Sequence, residues 1–72
     1  MALIEAEVKI LEKLWEEGQP LRRRDAAQKI GLNVSAATMY LLRLKKGGHV
    51  STPKRGYYAI TDLGKEAIGI QK

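Results

Sequence analysis

The sequence predicts an α+β fold, in which three helices precede a β-hairpin and a short fourth helix follows it. Apolar residues recur at helical spacing in three stretches, and a glycine stands after each of them. A short alternating segment then surrounds a Pro-Lys-Arg-Gly turn, which is typical of a hairpin. Because the chain has 72 residues, we expect one domain over residues 1–72.

The first helix is expected over residues 3–17. Gly18 can end it in a left-handed conformation, and Pro20 prevents its continuation. Trp15, near the end of its apolar stripe, is expected in the core. The stripe consists of Ile4, Val8, Leu11 and Trp15, and Ile10 and Leu14 widen it.

A second helix is expected over residues 23–30 and a third over residues 34–46. Gly31 can end the second helix, and Asn33 can cap the third by accepting a hydrogen bond from an exposed backbone N–H. Helical spacing separates the two faces of the third helix. The inward residues are Ala37, Leu41 and Leu44, and the outward residues are Ser35, Met39, Leu42 and Lys46.

The hairpin is expected over residues 49–60, with strands at 50–52 and 57–60. Tyr58 and Ile60 alternate with their neighbours as on a strand with one buried face, and Tyr57 is expected on the open face. Thr61 can cap a final helix over residues 61–70.

The second and third helices are separated by Gly-Leu-Asn, and small residues stand where the two would cross. This is the sequence pattern of a helix-turn-helix, whose second helix enters the major groove of DNA. A basic hairpin directly after that recognition helix makes a wing. The order predicts a three-helix core with a two-stranded β-hairpin wing and a short C-terminal helix.

Charge is distributed unevenly along the chain, which has a net charge of +5 and a pI near 9.8. Residues 1–17 carry five glutamates and two lysines, whereas residues 18–60 carry nine Lys or Arg and a single acid, Asp25. Such asymmetry is typical of a surface that binds a polyanion, although it is also compatible with a surface that only keeps a protein in solution.

Several classes of function are not expected from the residue types present. The chain has no cysteine, and its one histidine, His49, has no nearby acid cluster, so neither a metal site nor a catalytic triad is expected. No phosphate-binding glycine loop occurs. We therefore expect no enzyme activity and no cofactor. The apolar runs are too short to span a membrane and no signal peptide is evident, so a cytoplasmic protein is expected.

Three motifs carry a resemblance to known regulators. They are Leu32-Asn33 before the third helix, Leu41-x-x-Leu44-x-x-x-Gly48-x-Val50 at its exit, and Tyr58-x-Ile60-Thr61-x-x-Gly64 leaving the hairpin. With them the chain resembles the winged helix-turn-helix domains of MarR-like and PadR-like transcriptional regulators and of small archaeal DNA-binding proteins. The resemblance implies binding of double-stranded DNA in transcriptional control. No small-molecule effector is evident.

The candidate DNA contacts come from the second helix, the recognition helix and the wing. Arginines at a helix start can meet a phosphate together with free backbone N–H groups, and wing cations can reach the backbone or minor groove. Alternatives stay open, because Ser35 can simply assist the helix start and Arg43 can simply be solvated. The candidates are Arg22, Arg23, Arg24, Asn33, Ser35, Thr38, Met39, Arg43, Lys54 and Arg55.

A homodimer on a two-fold DNA site is also expected, because one small domain has a modest interface. Its candidate surfaces are residues 1–4 together with Ile68 and Ile70. A rival hypothesis is a module for protein–protein contact, in which Met39, Leu42 and the acidic first helix meet a partner. A third is a sequence-independent architectural protein that binds DNA, or one that binds RNA.

Overall fold

The computed structural model describes residues 3–69 and has the predicted α+β fold. A short strand stands between the first two helices and two more precede the last helix, and these strands form one antiparallel sheet. No helix within residues 3–69 is long and apolar enough to cross a membrane. The elements are α1 (Glu5–Glu17), β1 (Leu21–Arg22), α2 (Arg23–Ile30), α3 (Val34–Lys46), β2 (Val50–Ser51), β3 (Tyr57–Ile60) and α4 (Asp62–Ala67).

The bounds of α2 and α3 coincide with the predicted ranges, whereas the outer helices are shorter than predicted. Helix α1 begins at Glu5 because Ile4 is extended, and the Ile4 N–H donates to Glu7 Oε1 at 3.1 Å instead of joining the helix. Helix α4 ends at Ala67, and Gly69 beyond it has a φ of 83°, so the prediction of a helix to residue 70 was too long. Ile70 itself lies outside the described residues.

The sheet has a third strand that the prediction did not include. Strand β3 lies in the centre, with β1 on one side and β2 on the other, both antiparallel to it. Arg22 of β1 lies opposite Tyr57, and Ser51 of β2 lies opposite Ala59. Because β1 leads directly into α2, this pairing holds the start of α2 beside the wing strand.

The core is formed where α1, α2 and α3 meet one face of the sheet. Tyr58 and Ile60 pack against it from β3 and stay half-buried. Burial of the apolar side chains of this core supplies most of the stabilisation available to so small a domain. The buried cluster consists of Ile10, Leu11, Leu14, Leu21, Ala26, Leu41, Leu44 and Val50.

The prediction that Trp15 belongs to the core is wrong, since its side chain is 44% exposed. The inward face of α1 consists of Glu7, Ile10, Leu11 and Leu14. Trp15 stands at the edge of that face, one residue beyond Leu14. Its ring lies 5.4 Å from Lys65 Nζ of α4, a cation–π distance.

Hydrogen bonds at two predicted N-caps fix the first turns of α3 and α4. Asn33 Oδ1 accepts from the Ala36 N–H at 2.8 Å, and Thr61 Oγ1 accepts from the Gly64 N–H at 3.2 Å. The Thr61 hydroxyl also donates to the Gly48 carbonyl at 2.6 Å, and its N–H donates to the His49 carbonyl at 3.0 Å. The exit of α3, the start of β2 and the start of α4 therefore form one bonded junction.

Candidate nucleic-acid interface

Arginines from two distant parts of the sequence line one open groove of about 900 Å³. One wall comes from the end of β1 and the start of α2, and the other from the wing. Its arginines face a single acid, Asp25, so the groove is strongly cationic. We call it the arginine groove. Its lining residues are Arg22, Arg23, Arg24, Asp25, Arg55, Gly56, Tyr57 and Tyr58.

Tyr57 connects the two walls of the arginine groove. The Arg22 Nε–H donates to the Tyr57 hydroxyl at 3.0 Å, and Arg22 Cζ lies 5.1 Å from the centre of its ring. Lys54 Nζ lies 5.4 Å from the same ring. Two cations therefore gather around one aromatic side chain, which offsets part of their mutual repulsion. Tyr57 is half-buried in this position.

The start of α2 adds backbone groups to the same wall. Arg22 is the N-cap residue of this helix, and no side chain caps its first turn. The first N–H groups of a helix lack partners within the helix and carry the positive end of its dipole. Arg23 and Arg24, both exposed, stand beside them. This combination suits a phosphate group.

The outer face of α3, which we define as Ser35, Met39 and Leu42, is exposed as predicted. The side chains of Met39 and Leu42 are 52% and 53% exposed, although both are apolar. The arginine groove includes no residue of α3 in its lining. The candidate contacts therefore divide into two surfaces of different chemistry.

Three of the candidate contacts are engaged within the protein. Asn33 caps α3, and the Thr38 hydroxyl donates to the Val34 carbonyl at 2.7 Å. Arg43 Nε lies 3.5 Å from Glu7 Oε2, in an ion pair that joins α3 to α1. These side chains stabilise helix ends and helix packing. The sequence alone did not show whether they have this structural role or contact DNA.

The sequence analysis did not single out Glu7, which has a buried carboxylate with two partners. Its carboxylate is 5% exposed, and it is the only buried charged residue within residues 3–69. It accepts the Ile4 N–H as well as pairing with Arg43. A signal was available, because Glu7 stands on the inward stripe three residues before Ile10 and seven before Leu14.

His49 is half-buried at the junction between α3 and β2, and its Nδ1 has no hydrogen-bond partner within residues 3–69. The same part of the chain holds no group of three His, Asp or Glu side chains that could bind a metal ion. The expectations of no metal, no cofactor and no catalysis stay predictions.

Solved structures with the same arrangement exist. The model superposes on YusO protein from Bacillus subtilis with a TM-score of 0.80 at 22% identity, and on RV1404 from Mycobacterium tuberculosis with a TM-score of 0.82 at 21% identity. Transcriptional regulator Tm0710 from Thermotoga maritima gives a TM-score of 0.79 at 33% identity.

The chain has the winged helix-turn-helix fold of these structures and is similar to MarR-like transcriptional regulators. The predicted resemblance and fold are thereby confirmed. The superpositions cover 92%, 92% and 90% of this chain, but only 50%, 48% and 48% of the three neighbours in the same order. The winged-helix domain thus spans about half the length of these neighbours. No protein-family model and no curated protein matches the sequence.

Proposed function

We propose that the winged-helix domain binds double-stranded DNA and acts as the DNA-binding part of a transcriptional regulator. The arginine groove is the observation that carries the proposal. Four arginines gathered around a helix start and a wing form a surface suited to a row of phosphates, and Tyr57 holds two of the surrounding cations in place. A transcriptional regulator among the structural neighbours supports the same function.

In the proposed complex, α3 enters the major groove with its outer face toward the base edges. Arg22, Arg23 and Arg24 bind phosphates at the start of α2. Lys54 and Arg55 reach the neighbouring backbone or the minor groove from the wing turn. Ser35 is the hydroxyl on α3 best placed for a phosphate or a base edge. A cytoplasmic location and the absence of an effector are expectations that accompany this proposal.

A titration of mixed-sequence duplex DNA at several salt concentrations tests the proposal. The logarithm of the association constant is expected to fall linearly with the logarithm of salt concentration, by about 0.9 for each phosphate neutralised. Reversing charge in both walls of the groove, with Arg23→Glu and Arg55→Glu, should weaken binding at least about 100-fold, because two attractions become repulsions. Lys9→Glu makes one such charge reversal at an exposed site of α1 and should leave affinity nearly unchanged, in contrast to Arg23→Glu or Arg55→Glu made singly.

Three outcomes would contradict the proposal or narrow it. A salt slope near zero, or no binding at low salt, would remove DNA as the ligand. Equal affinity for unrelated duplexes would leave a sequence-independent, architectural role. Tighter binding to duplex RNA than to duplex DNA would mean that RNA is the ligand of the arginine groove.

We also propose that the domain acts as a homodimer on a two-fold site. Of the surfaces predicted for it, Ile4 is exposed, whereas Leu3 and Ile68 pack partly against the core. Met1 and Ile70 lie outside the described residues. Sedimentation equilibrium over a range of concentrations measures the association, and a monomer at all concentrations contradicts it. A dimer would read two half-sites about 34 Å apart.

The exposed apolar pair on α3 favours one rival function, contact with a partner protein. Met39 and Leu42 are both about half exposed and lie next to each other, and exposed apolar patches can mark protein–protein contact sites. The charge reversals separate the two functions, because a partner bound through α3 would still bind a protein with Arg23→Glu and Arg55→Glu.

A further inference from the structure

The outer face of α3 has an unusual composition for a helix that reads DNA. Its two largest side chains, Met39 and Leu42, are apolar and about half exposed. They stand three residues apart, so both lie on one side of the helix. Between the hydroxyl of Ser35 and the ammonium of Lys46, this side of the helix presents hydrocarbon and a thioether, with the exposed Arg43 at its flank.

Three polar side chains of α3 and its cap that could read bases by hydrogen bonds already have partners within the protein. The guanidinium of Arg43 pairs with buried Glu7. The carbonyl of the Asn33 side chain caps α3, and the Thr38 hydroxyl donates to the Val34 carbonyl. Bidentate contacts from Arg to guanine and from Asn to adenine are the strongest sources of discrimination by hydrogen bonds. The one arginine of α3 and the asparagine at its start would have to make these contacts in competition with bonds that the protein already makes.

We propose that Met39 and Leu42 recognise the C5-methyl groups of thymine in the major groove. This inference rests on the proposed function and names the feature of DNA that the same surface reads. The thymine methyl is the one apolar group that a base pair displays in the major groove, and apolar side chains are its natural contacts. It extends from the edge of the base pair, so a side chain of the length of methionine or leucine can reach it.

The charge of α3 favours DNA over an apolar protein partner for this face. The helix contains no acidic residue, and its last turns carry Arg43, Lys45 and Lys46. An apolar patch beside such cations is complementary to a groove that has methyl groups on its floor and phosphates along its rims. Met39 and Leu42 supply the contact with the floor, and the lysines face the rims.

The effect of a single methyl group can be measured without knowing the operator. The probes are a duplex of alternating dA and dT and a duplex of alternating dA and dU, which differ only in the C5-methyl. The domain should bind the dT duplex about four-fold more tightly for each methyl group it contacts. A second pair adds the methyl instead: 5-methylcytosine in place of cytosine in alternating dG–dC should strengthen binding in the same direction.

Substitutions assign the methyl effect to α3. Met39→Ala with Leu42→Ala should reduce the ratio between the dT and dU affinities toward one, while binding to the dU duplex changes little. Met39→Leu keeps an apolar side chain of similar size and should preserve most of the ratio. Leu63→Ala removes an equally exposed leucine from α4 and is the matched control. Since all three positions are exposed, circular dichroism and thermal unfolding should show the fold retained.

Each other outcome overturns the inference. Equal binding of the dT and dU duplexes by the unaltered domain removes methyl recognition but leaves the proposed DNA binding intact. A dT preference that survives the double alanine substitution assigns the discrimination to DNA shape or to other residues. Failure to bind any of the four duplexes, even at low salt, removes the proposed function and this inference together.

Discussion

The arginine groove and the outer face of α3 are built in opposite ways. The groove exists only in the folded domain, because its walls meet through contacts such as that between Arg22 and Tyr57, which are 35 residues apart. The outer face of α3 is local, since one turn of helix brings Met39 and Leu42 together. The groove is cationic and the helix face is apolar. Phosphate contacts position a protein on DNA, whereas contacts with bases specify sequence.

That contrast implies that affinity and specificity lie on separate elements of the domain. If so, substitutions in the groove should change binding to all duplexes and its dependence on salt. Substitutions on α3 should change the ratio between duplexes. One link between them is the junction of Gly48, His49, Thr61 and Gly64, whose hydrogen bonds join the segment after α3 to the end of the wing.

The largest effect is expected from Gly64→Ala, which breaks that junction. A Cβ at Gly64 would overlap the His49 carbonyl oxygen and lie 2.8 Å from Ile60 Cγ1. Backbone cannot move aside as a flexible side chain can, so we expect a loss of about 3 kcal/mol in the free energy of unfolding. Chemical denaturation followed by circular dichroism measures it.

Glu66→Ala, at an exposed site of the same helix, should change stability by less than about 0.5 kcal/mol. If Gly64→Ala proved as stable as the unaltered domain, α4 would not be packed as tightly on the junction as the structure has it. In that case α3 and the wing would not be held in a fixed relation, and the contrast between the two surfaces would lose its geometric basis.

A pair of arginine substitutions sharpens the comparison further. Arg43→Ala leaves the buried Glu7 carboxylate without its charged partner, and because Arg43 is itself 59% exposed we expect a loss of only about 1 kcal/mol in stability. DNA affinity should change by less than about two-fold, since this guanidinium already has a partner.

Arg23→Ala should behave in the reverse manner. Its stability should stay within about 0.5 kcal/mol of the unaltered domain, while the salt slope falls by about 0.9. Thermal unfolding and salt titration of both variants decide the matter. Should Arg43→Ala lower the salt slope as much as Arg23→Ala, then Arg43 leaves Glu7 on binding and α3 contributes a phosphate contact.

Most of the helical framework could be predicted from the sequence because its signals are local. Apolar spacing located α1, α2 and α3, and the caps at Asn33 and Thr61 depend on residues within three positions of the cap. Strand β1 has two residues, too few to show the alternation of a strand. The outer bounds of α1 and α4 were missed because the Ile4 N–H bonds to the Glu7 carboxylate and because Gly69 takes a left-handed φ, and periodicity signals neither.

The candidate site was predictable only as a set of residues. The charge pattern indicated Arg22, Arg23, Arg24 and Arg55 as candidates. They line the same groove only because β1 pairs with β3, and local sequence does not predict that pairing. The same holds for Arg43, whose partner Glu7 lies in another helix. Helical periodicity predicts which side chains point outward, but it does not predict which residue of another element will contact them.

The smallest effect is expected from Tyr57→Phe. It removes the hydroxyl that accepts from Arg22 Nε, but it keeps the ring near Arg22 and Lys54. A hydrogen bond at an exposed site contributes about 0.5 kcal/mol, so affinity for DNA should fall by about two-fold through looser placement of Arg22 alone.

Tyr57→Ala removes the cation–π contacts as well and should weaken binding further, by about five-fold, because both walls of the arginine groove then lose their common support. Fluorescence anisotropy at fixed salt distinguishes the two variants. Equal losses would mean that the ring contributes nothing beyond its hydroxyl and that the cation–π contacts do not position the cations. Unequal losses in the expected order would make Tyr57 a residue that positions cations, so that the charge of the groove depends on an aromatic side chain for its arrangement.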